Sequence, residues 1–479
     1  MNRRMIVNML GKLFILEGVM LLLPALVDVI YREDAVFSYL ITAGILAFVG
    51  LLLTFVKART REIFSKEGLV TVALGWVFLS IGGAIPLYLT GEIPHFVDAL
   101  FESVSGFTTT GASILSDVES LSHASLFWRS FTHWLGGMGV LVFVIAMVKT
   151  VSGGGNIYLL RSESTGPEVS KLVPSSKGTA KILYTIYLAM TVAEIVALLL
   201  CGLPLFDSLT LSFGTAGTGG FAIKNSSIAG YSPAVQWVIG IFMAAFGVNF
   251  SCYYLLFARK FKEVFKNEEL RAYLIIMLGS AAVIALNIYR MCSGVAEAVR
   301  GSFFQVSSVM TTTGYATMDF NEWPELSRMI MLIVMCIGGS AGSTGGGLKV
   351  ARVIILAKAG LREIQLTAKP NKISTLRYNG KALSDTLVRS VSAYFILYMM
   401  VFLVSLVLIS LDTKDIVSNI TSIIATLNNI GPGLEVVGAT GNYSSYSVFS
   451  KLVFVVNMLL GRLELLPIFV LLSPKTWKR

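Results

Sequence analysis

The stretch Phe304-Gln305-Val306-Ser307-Ser308-Val309-Met310-Thr311-Thr312-Thr313-Gly314-Tyr315 runs from apolar to polar and ends on three threonines and a glycine. The same pattern occurs earlier as Phe101-Glu102-Ser103-Val104-Ser105-Gly106-Phe107-Thr108-Thr109-Thr110-Gly111, where the Phe, one Ser, three Thr and the Gly coincide at an offset of 203 (314 − 111). Two weaker copies follow the same plan. Asp207-Ser208-Leu209 leads to Thr218-Gly219-Gly220-Phe221, and the last copy is Leu427-Asn428-Asn429-Ile430-Gly431-Pro432. The four glycines fall at 111, 220, 314 and 431, spaced 109, 94 and 117 residues apart. A roughly regular period within one chain is the mark of a repeated structural unit.

The 479 residues are 55% hydrophobic and only 14% charged, with a mean hydropathy of +0.75. A soluble domain carries about 25% charged residues. Apolar runs of roughly 20 residues recur along the chain, the length a helix needs to cross a bilayer core. The chain therefore reads as a polytopic, all-α membrane protein. Its four cysteines (Cys201, Cys252, Cys292, Cys336) lie in or beside apolar runs with no paired spacing and read as small buried hydrophobes. Met1-Asn2-Arg3-Arg4 precedes an apolar run too long for a signal-peptide core, so it reads as a retained first helix.

A net charge of +10 raises the question of nucleic acid, and the distribution of that charge argues against it. Basic residues collect in alternate loops: Lys57, Arg59, Arg61 and Lys66; Arg161, Lys171, Lys177 and Lys181; Arg259, Lys260, Lys262 and Lys266; Arg352 to Arg377; and Lys475, Lys478 and Arg479 at the end. The intervening loops are acidic or neutral, as at Glu33-Asp34, Asp117, Asp319 and Asp412. This is the positive-inside pattern, and it predicts both termini in the cytoplasm.

Taken in order, residues 1–62 hold two spanning helices (5–31 and 36–56) outside the repeat. Four units follow at 63–160, 161–266, 267–375 and 376–479, with their polar segments at 108–112, 217–221, 311–315 and 428–433. Each is expected to contain a spanning helix, a short run of about ten residues and a second spanning helix; the second helices are placed at 126–149, 233–258, 326–358 (interrupted) and 446–472. Ten residues of helix cannot cross ~30 Å at ~1.5 Å per residue. A half-length helix followed by extended backbone survives at membrane depth only where it lines a water-filled cavity or is buried in protein. Four such elements can close a ring, with helix C-termini presenting partial negative charge to a cation and carbonyls replacing its hydration shell.

With these segments in hand, the chain resembles the Trk/Ktr/HKT superfamily of potassium-uptake proteins, and within it the bacterial TrkH/TrkG branch, whose members carry two extra N-terminal helices. The resemblance rests on Ser105-Gly106-Phe107-Thr108-Thr109-Thr110-Gly111-Ala112, Gly217-Thr218-Gly219-Gly220-Phe221, Met310-Thr311-Thr312-Thr313-Gly314-Tyr315 and Asn428-Asn429-Ile430-Gly431-Pro432-Gly433, and it covers essentially the whole chain. It implies four M1–P–M2 units around one pore, a homodimer in the bacterial plasma (inner) membrane among lipids, and a cytosolic ring of TrkA-like nucleotide-binding subunits docked on the basic segment from Lys349 to Arg389. It also implies a K⁺-binding filter made by Thr109, Thr110 and Gly111; Thr218, Gly219 and Gly220; Thr312, Thr313 and Gly314; and Asn429, Ile430 and Gly431. Glycine at all four positions, Gly111 included, goes with K⁺ rather than Na⁺ permeation in this family. Potassium itself is the expected bound ion, with no covalent cofactor and no transition-metal site.

Other features leave two readings each. Gly338-Gly339-Ser340-Ala341-Gly342-Ser343-Thr344-Gly345-Gly346-Gly347 interrupts an apolar run and holds six glycines in ten residues, which a helix does not tolerate. It fails the phosphate-loop pattern because Leu348 separates Gly347 from Lys349. It is either a passive kink or, as the resemblance implies, a gating loop below the filter. Arg462, inside the last apolar run, is either half of a structural ion pair or, by resemblance, an electrostatic barrier in the pore; Glu464, two residues on, faces another side of a helix. Asp98 and Glu102 either enrich cations at the outer mouth or solvate a loop. His133 reads as a satisfied buried histidine. A coupled symporter on the same scaffold would need a titratable group in the conduction path, and only Glu194 and Glu464 lie in the middle of repeat spans. A membrane enzyme would need a nucleophile–base set or a metal cluster, and the sequence displays neither.

Overall fold

The structure is a computed structural model that describes residues 2–56, 65–139, 176–371 and 374–477. Outside these lie the basic positions Lys57, Arg59, Arg61, Arg161, Lys171, Lys372, Lys478 and Arg479, the side chain of Lys177, the expected helical stretch 140–149 and the first two unit boundaries.

Among the described residues, six helices are long and apolar enough to cross a membrane, and eight if two sharply bent helix pairs each count as one span. The first span divides into Arg3–Met20 and Leu22–Tyr31. Pro24 explains the break: it offers no N–H, and its ring crowds the carbonyl four residues back, which is that of Met20. Arg3–Met20 lies along Val36–Thr54 with Gly11 and Gly50 backbone to backbone, so that a methyl on Gly11 would sit 2.7 Å from the Gly50 carbonyl oxygen. Small residues at such a crossing let two helices approach closely in lipid.

Four units follow. Their entry helices are Ser65–Leu89, Ser176–Leu200, Glu268–Ile288 and Asp385–Ile409. Their short helices, called pore helices below, are Phe96–Phe107, Leu205–Gly217, Val295–Met310 and Ile416–Leu427. Their exit helices begin at His123, Pro233, Glu325 and Val448. Three of the four exit helices start where the sequence supplies a cap: Ser122, Ser232 and Ser447 each accept a hydrogen bond from the N–H three residues on, while the third follows Pro324. Asp415 does the same for the fourth pore helix. Pore helices of 12 to 16 residues span about 18–24 Å, too short to cross a ~30 Å hydrocarbon core.

The packing closes a circle. Each entry helix lies against the pore helix of its own unit. The exit helix of the first unit packs on the second pore helix, that of the second on the third, that of the third on the fourth, and that of the fourth on the first.

The exit helices are not straight. That of unit 3 breaks at the expected glycine run, between Glu325–Ile337 and Val350–Ala368. The expected uninterrupted helix 233–258 is instead Pro233–Phe246 and Phe250–Phe257, bent by 92°. The expected 446–472 is Val448–Arg462 and Leu466–Leu472, bent by 117°, with Glu464 and Leu465 in left-handed conformations. The first exit helix ends at Gly137.

Candidate functional site

Each pore helix ends in the same way. The residue after the helix turn takes a left-handed φ: +55° at Thr109, +54° at Thr218, +62° at Thr312 and +56° at Asn429. The next N–H reaches back five residues, from Thr110 to Ser105 O, Gly219 to Gly214 O, Thr313 to Ser308 O and Ile430 to Ala425 O, at 2.8–2.9 Å. This is a Schellman-type helix end, which normally places glycine at the left-handed position. Here three of the four are β-branched threonines, for which positive φ is strained. Two residues after each of these positions, φ is positive again at Gly111 (+77°), Gly220 (+77°), Gly314 (+91°) and Gly431 (+90°). Alternation of left- and right-handed residues turns successive carbonyls toward one side, and glycine makes it accessible at the last position.

The four segments interlock. A methyl on Gly111 would strike the carbonyl oxygen of Gly219; on Gly220, that of Thr313; on Gly314, that of Ile430; and on Gly431, that of Thr110 at 2.7 Å. Each glycine therefore lies against the segment of the next unit, and the fourth returns to the first. Gly111, Gly220, Gly314 and Gly431 together line one cavity of about 180 Å³. All twelve residues expected in the filter are brought together in this ring. The units are not equivalent, however. Thr108 and Thr110 share a hydroxyl hydrogen bond of 2.8 Å, and Thr311 and Thr313 one of 2.7 Å. In the fourth unit Asn429 instead sends its amide to Thr110 Oγ1 and to the Met458 carbonyl, both at 2.9 Å.

The glycine-rich loop lies against the opposite end of the ring. A methyl on Gly345 would sit 2.7 Å from the Thr311 carbonyl oxygen, and one on Gly346 would meet the Asn428 carbonyl. Gly346 N–H donates to Thr312 Oγ1 at 2.6 Å. The loop is held from the side as well: Ser340 N–H donates to Gly247 O and Phe250 N–H donates to Gly342 O, both at 3.0 Å, where the second exit helix is broken. Ala341 N–H donates to Glu269 Oε1 at 2.6 Å. Arg462 ties ring and loop together, with its guanidinium donating to Thr109 Oγ1 (3.1 Å), to Thr344 O (3.0 Å), and to the carbonyls of Gly136 and Gly137. Glu464 pairs with Arg352, which stacks 4.0 Å over Tyr394. Glu194 is buried in the second entry helix.

Two sequence-derived readings change. Glu102 neither enriches cations at the mouth nor solvates a loop: it is 1% exposed, pairs with Arg129 at 2.7 Å and accepts from Ser113 and the Ile114 N–H. Asp98 is paired with Lys451 at 2.6 Å. Among the described residues lining the cavity over the ring none is acidic, whereas Arg129 and Lys224 are present. His133 is the buried, satisfied histidine expected, with Nδ1 2.8 Å from Gly106 O and Nε2 accepting the Phe221 N–H at 3.2 Å. It thereby links the first pore helix to the second ring segment.

Three further residues at the site were given no role by the sequence. Tyr315 sends its hydroxyl to Leu211 O at 3.1 Å, bolting the third segment to the second pore helix, and Tyr443 donates to Gly431 O at 2.9 Å. Lys349, counted in the sequence as one of many cytoplasmic cations, is buried, with its ammonium on the Gly345 carbonyl. Its position between the glycine run and the apolar Val350–Ala357 was the available clue.

Four re-entrant helix-and-loop units, closed head to tail with two helices outside the repeat, define a multi-pass membrane protein of the M1–P–M2 pore class. The sequence profile of the TrkH family, described as cation transport protein, matches residues 38–479, and the chain belongs to that family. It is 37% identical to the Trk system potassium uptake protein TrkH of Salmonella typhimurium and 36% identical to that of Escherichia coli K12, covering 100% of each pair of chains. The crystal structure of the potassium transporter TrkH from Vibrio parahaemolyticus superposes with a TM-score of 0.89 at 33% identity over 100% of both chains. The family is one of transporters, not enzymes.

Proposed function

We propose that this chain is the membrane subunit of a bacterial potassium-uptake system and conducts K⁺ through the ring at Thr109–Gly111, Thr218–Gly220, Thr312–Gly314 and Asn429–Gly431. The carrying observation is the interlocked ring itself, with positive φ at both the first and last residue of all four segments. Carbonyls gathered in this way substitute for a cation's hydration shell, and four convergent helix C-termini favour positive charge. The intramembrane loop 338–347 and Arg462 form the gate below it: the loop lies across the inner end, and the guanidinium puts a fixed positive charge beside it. The names of the Salmonella and Escherichia coli relatives, each part of a Trk system, support partner subunits. By resemblance these are a second copy of this chain and a cytosolic, TrkA-like nucleotide-binding ring. The contact of Arg3 with the Trp477 carbonyl (3.3 Å) and of Lys66 with that of Lys475 (3.2 Å) supports both termini on one side, the cytoplasmic side by charge, of the inner membrane. A symporter coupled to H⁺ or Na⁺ on the same scaffold is the alternative.

The test is ⁸⁶Rb⁺ uptake into liposomes containing the purified chain, competed with K⁺ or Na⁺, with and without the cytosolic subunit, beside Gly314→Ser. At φ +91°, with the Ile430 carbonyl and Pro432 Cδ against the added Cβ, serine must displace the segment. Uptake blocked by K⁺ far better than by Na⁺, with that preference lost in G314S, is expected. An unchanged preference in G314S overturns the assignment of the ring.

A further inference from the structure

Lys349 sits where the glycine-rich loop re-enters helix, immediately before Val350–Ala368. Its φ is positive at +75°, the residue is 1% exposed, and its ammonium donates to the carbonyl of Gly345 within the same loop. A buried ammonium requires hydrogen-bond acceptors, and leaving one unmatched costs several kcal/mol. The acceptor chosen is a carbonyl of the residue that packs against Thr311 O, at the inner end of the third segment. The four charged groups around it come from three elements: Glu464 and Arg462 at the bend of the fourth exit helix, Arg352 on Val350–Ala368, and Glu269 at the start of the third entry helix. Each is already engaged, Glu464 with Arg352, Arg462 with the Thr344 carbonyl, and Glu269 with the Ala341 N–H.

We propose that Lys349 is a positioning residue for the gate, an internal cation that latches the intramembrane loop in its closed shape. The ammonium holds the Gly345 carbonyl from within the protein, so the loop stays folded on itself against the inner end of the ring. For the loop to move aside, Lys349 must leave Gly345, and Glu269 and Glu464 are the acidic groups near enough to receive it. The latch differs from Arg462, which joins the loop to other helices: Lys349 joins the loop to itself and sets its shape.

This inference rests on the gating reading given above. The test is ⁸⁶Rb⁺ uptake into liposomes by the full-length chain, comparing wild type, Lys349→Met, Lys349→Gln and Lys349→Arg, with K⁺ and Na⁺ competition recorded for each. Methionine keeps the reach and removes the charge. The expected result is uptake several-fold above wild type for K349M and K349Q, unchanged preference for K⁺ over Na⁺, and near-wild-type uptake for K349R. Uptake by K349M at or below wild type overturns the latch, as does a rise accompanied by loss of K⁺ preference, which marks general loosening. If K349M does not fold, K349Q decides alone on the same terms. Wild type that conducts while neither neutral variant conducts more removes the latch only; absence of flux from wild type and every variant, with the cytosolic subunit added as well as without it, removes the transport reading with it.

Discussion

Threonine in a left-handed conformation costs roughly 1–3 kcal/mol, and such strain persists only where the surroundings enforce it. Thr109, Thr218 and Thr312 carry that strain at +54° to +62°, each fixed by the N–H of the next residue bonding five residues back. Asparagine tolerates the conformation better than any β-branched residue, and Asn429 uses its freedom to reach across to the first unit. Asn429→Ala removes the bridges to Thr110 and Met458, two buried hydrogen bonds worth about 1 kcal/mol each. Thermal unfolding in detergent is expected to move down accordingly, and Na⁺ to compete better with ⁸⁶Rb⁺, because the junction closing the ring is weakened. Glu102 gives the sharper loss. Glu102→Ala leaves the Arg129 guanidinium buried without its carboxylate, at a cost of about 3–5 kcal/mol. E102Q, which still accepts hydrogen bonds, is expected to retain more stability in the same assay.

The short helices and the unit-3 break were legible in the sequence for simple reasons. Runs such as Ile416–Leu427 are too short to cross and end in a recurring polar signature, and six glycines between Gly338 and Gly347 forbid helix. The bend in the second exit helix was not legible, because Gly247 is one of two glycines in an apolar run, and tertiary contacts take up the groups it frees. The bend in the fourth was passed over although it has a local cause: Leu463-Glu464-Leu465 are good helix formers, but the ring of Pro467 crowds the Leu463 carbonyl four residues back. At the first, the freed carbonyl of Gly247 and the N–H of Phe250 are taken up by the loop, and Asn249 caps the next helix by accepting from Ser251 N–H at 2.9 Å. The pairing of Glu102 was hidden for a related reason: its partner Arg129 is 27 residues away, and only the fold brings them together. Asn249→Ala removes the cap, about 1 kcal/mol, and loosens the loop's lateral anchor. The expected outcome is a lower unfolding temperature with faster ⁸⁶Rb⁺ uptake in liposomes. Slower uptake from a folded N249A protein would show that this bend supports conduction rather than closure.

At the scale of the whole molecule, the ring fixes which end of the protein is which. The cavity over Gly111, Gly220, Gly314 and Gly431 opens on the side carrying the loops around Ser116 and Asn225, while the glycine-rich loop, Lys349 and Arg462 lie on the other. Arg3, Lys66 and Lys475 gather on that second side, where the two ends of the chain meet. An anionic inner leaflet and the retention of Lys and Arg during insertion favour the orientation proposed above, with this basic side in the cytoplasm. Ser120 and Lys475 are exposed positions on the opposite faces. In intact cells expressing a variant with its four native cysteines replaced, a membrane-impermeant maleimide is expected to label Ser120→Cys and to spare Lys475→Cys until the membrane is opened. Labelling of K475C in intact cells would invert the molecule. The glycine-rich loop would then face outward and the cavity inward, and the proposal of an uptake route gated from a cytosolic ring would lose its geometric basis.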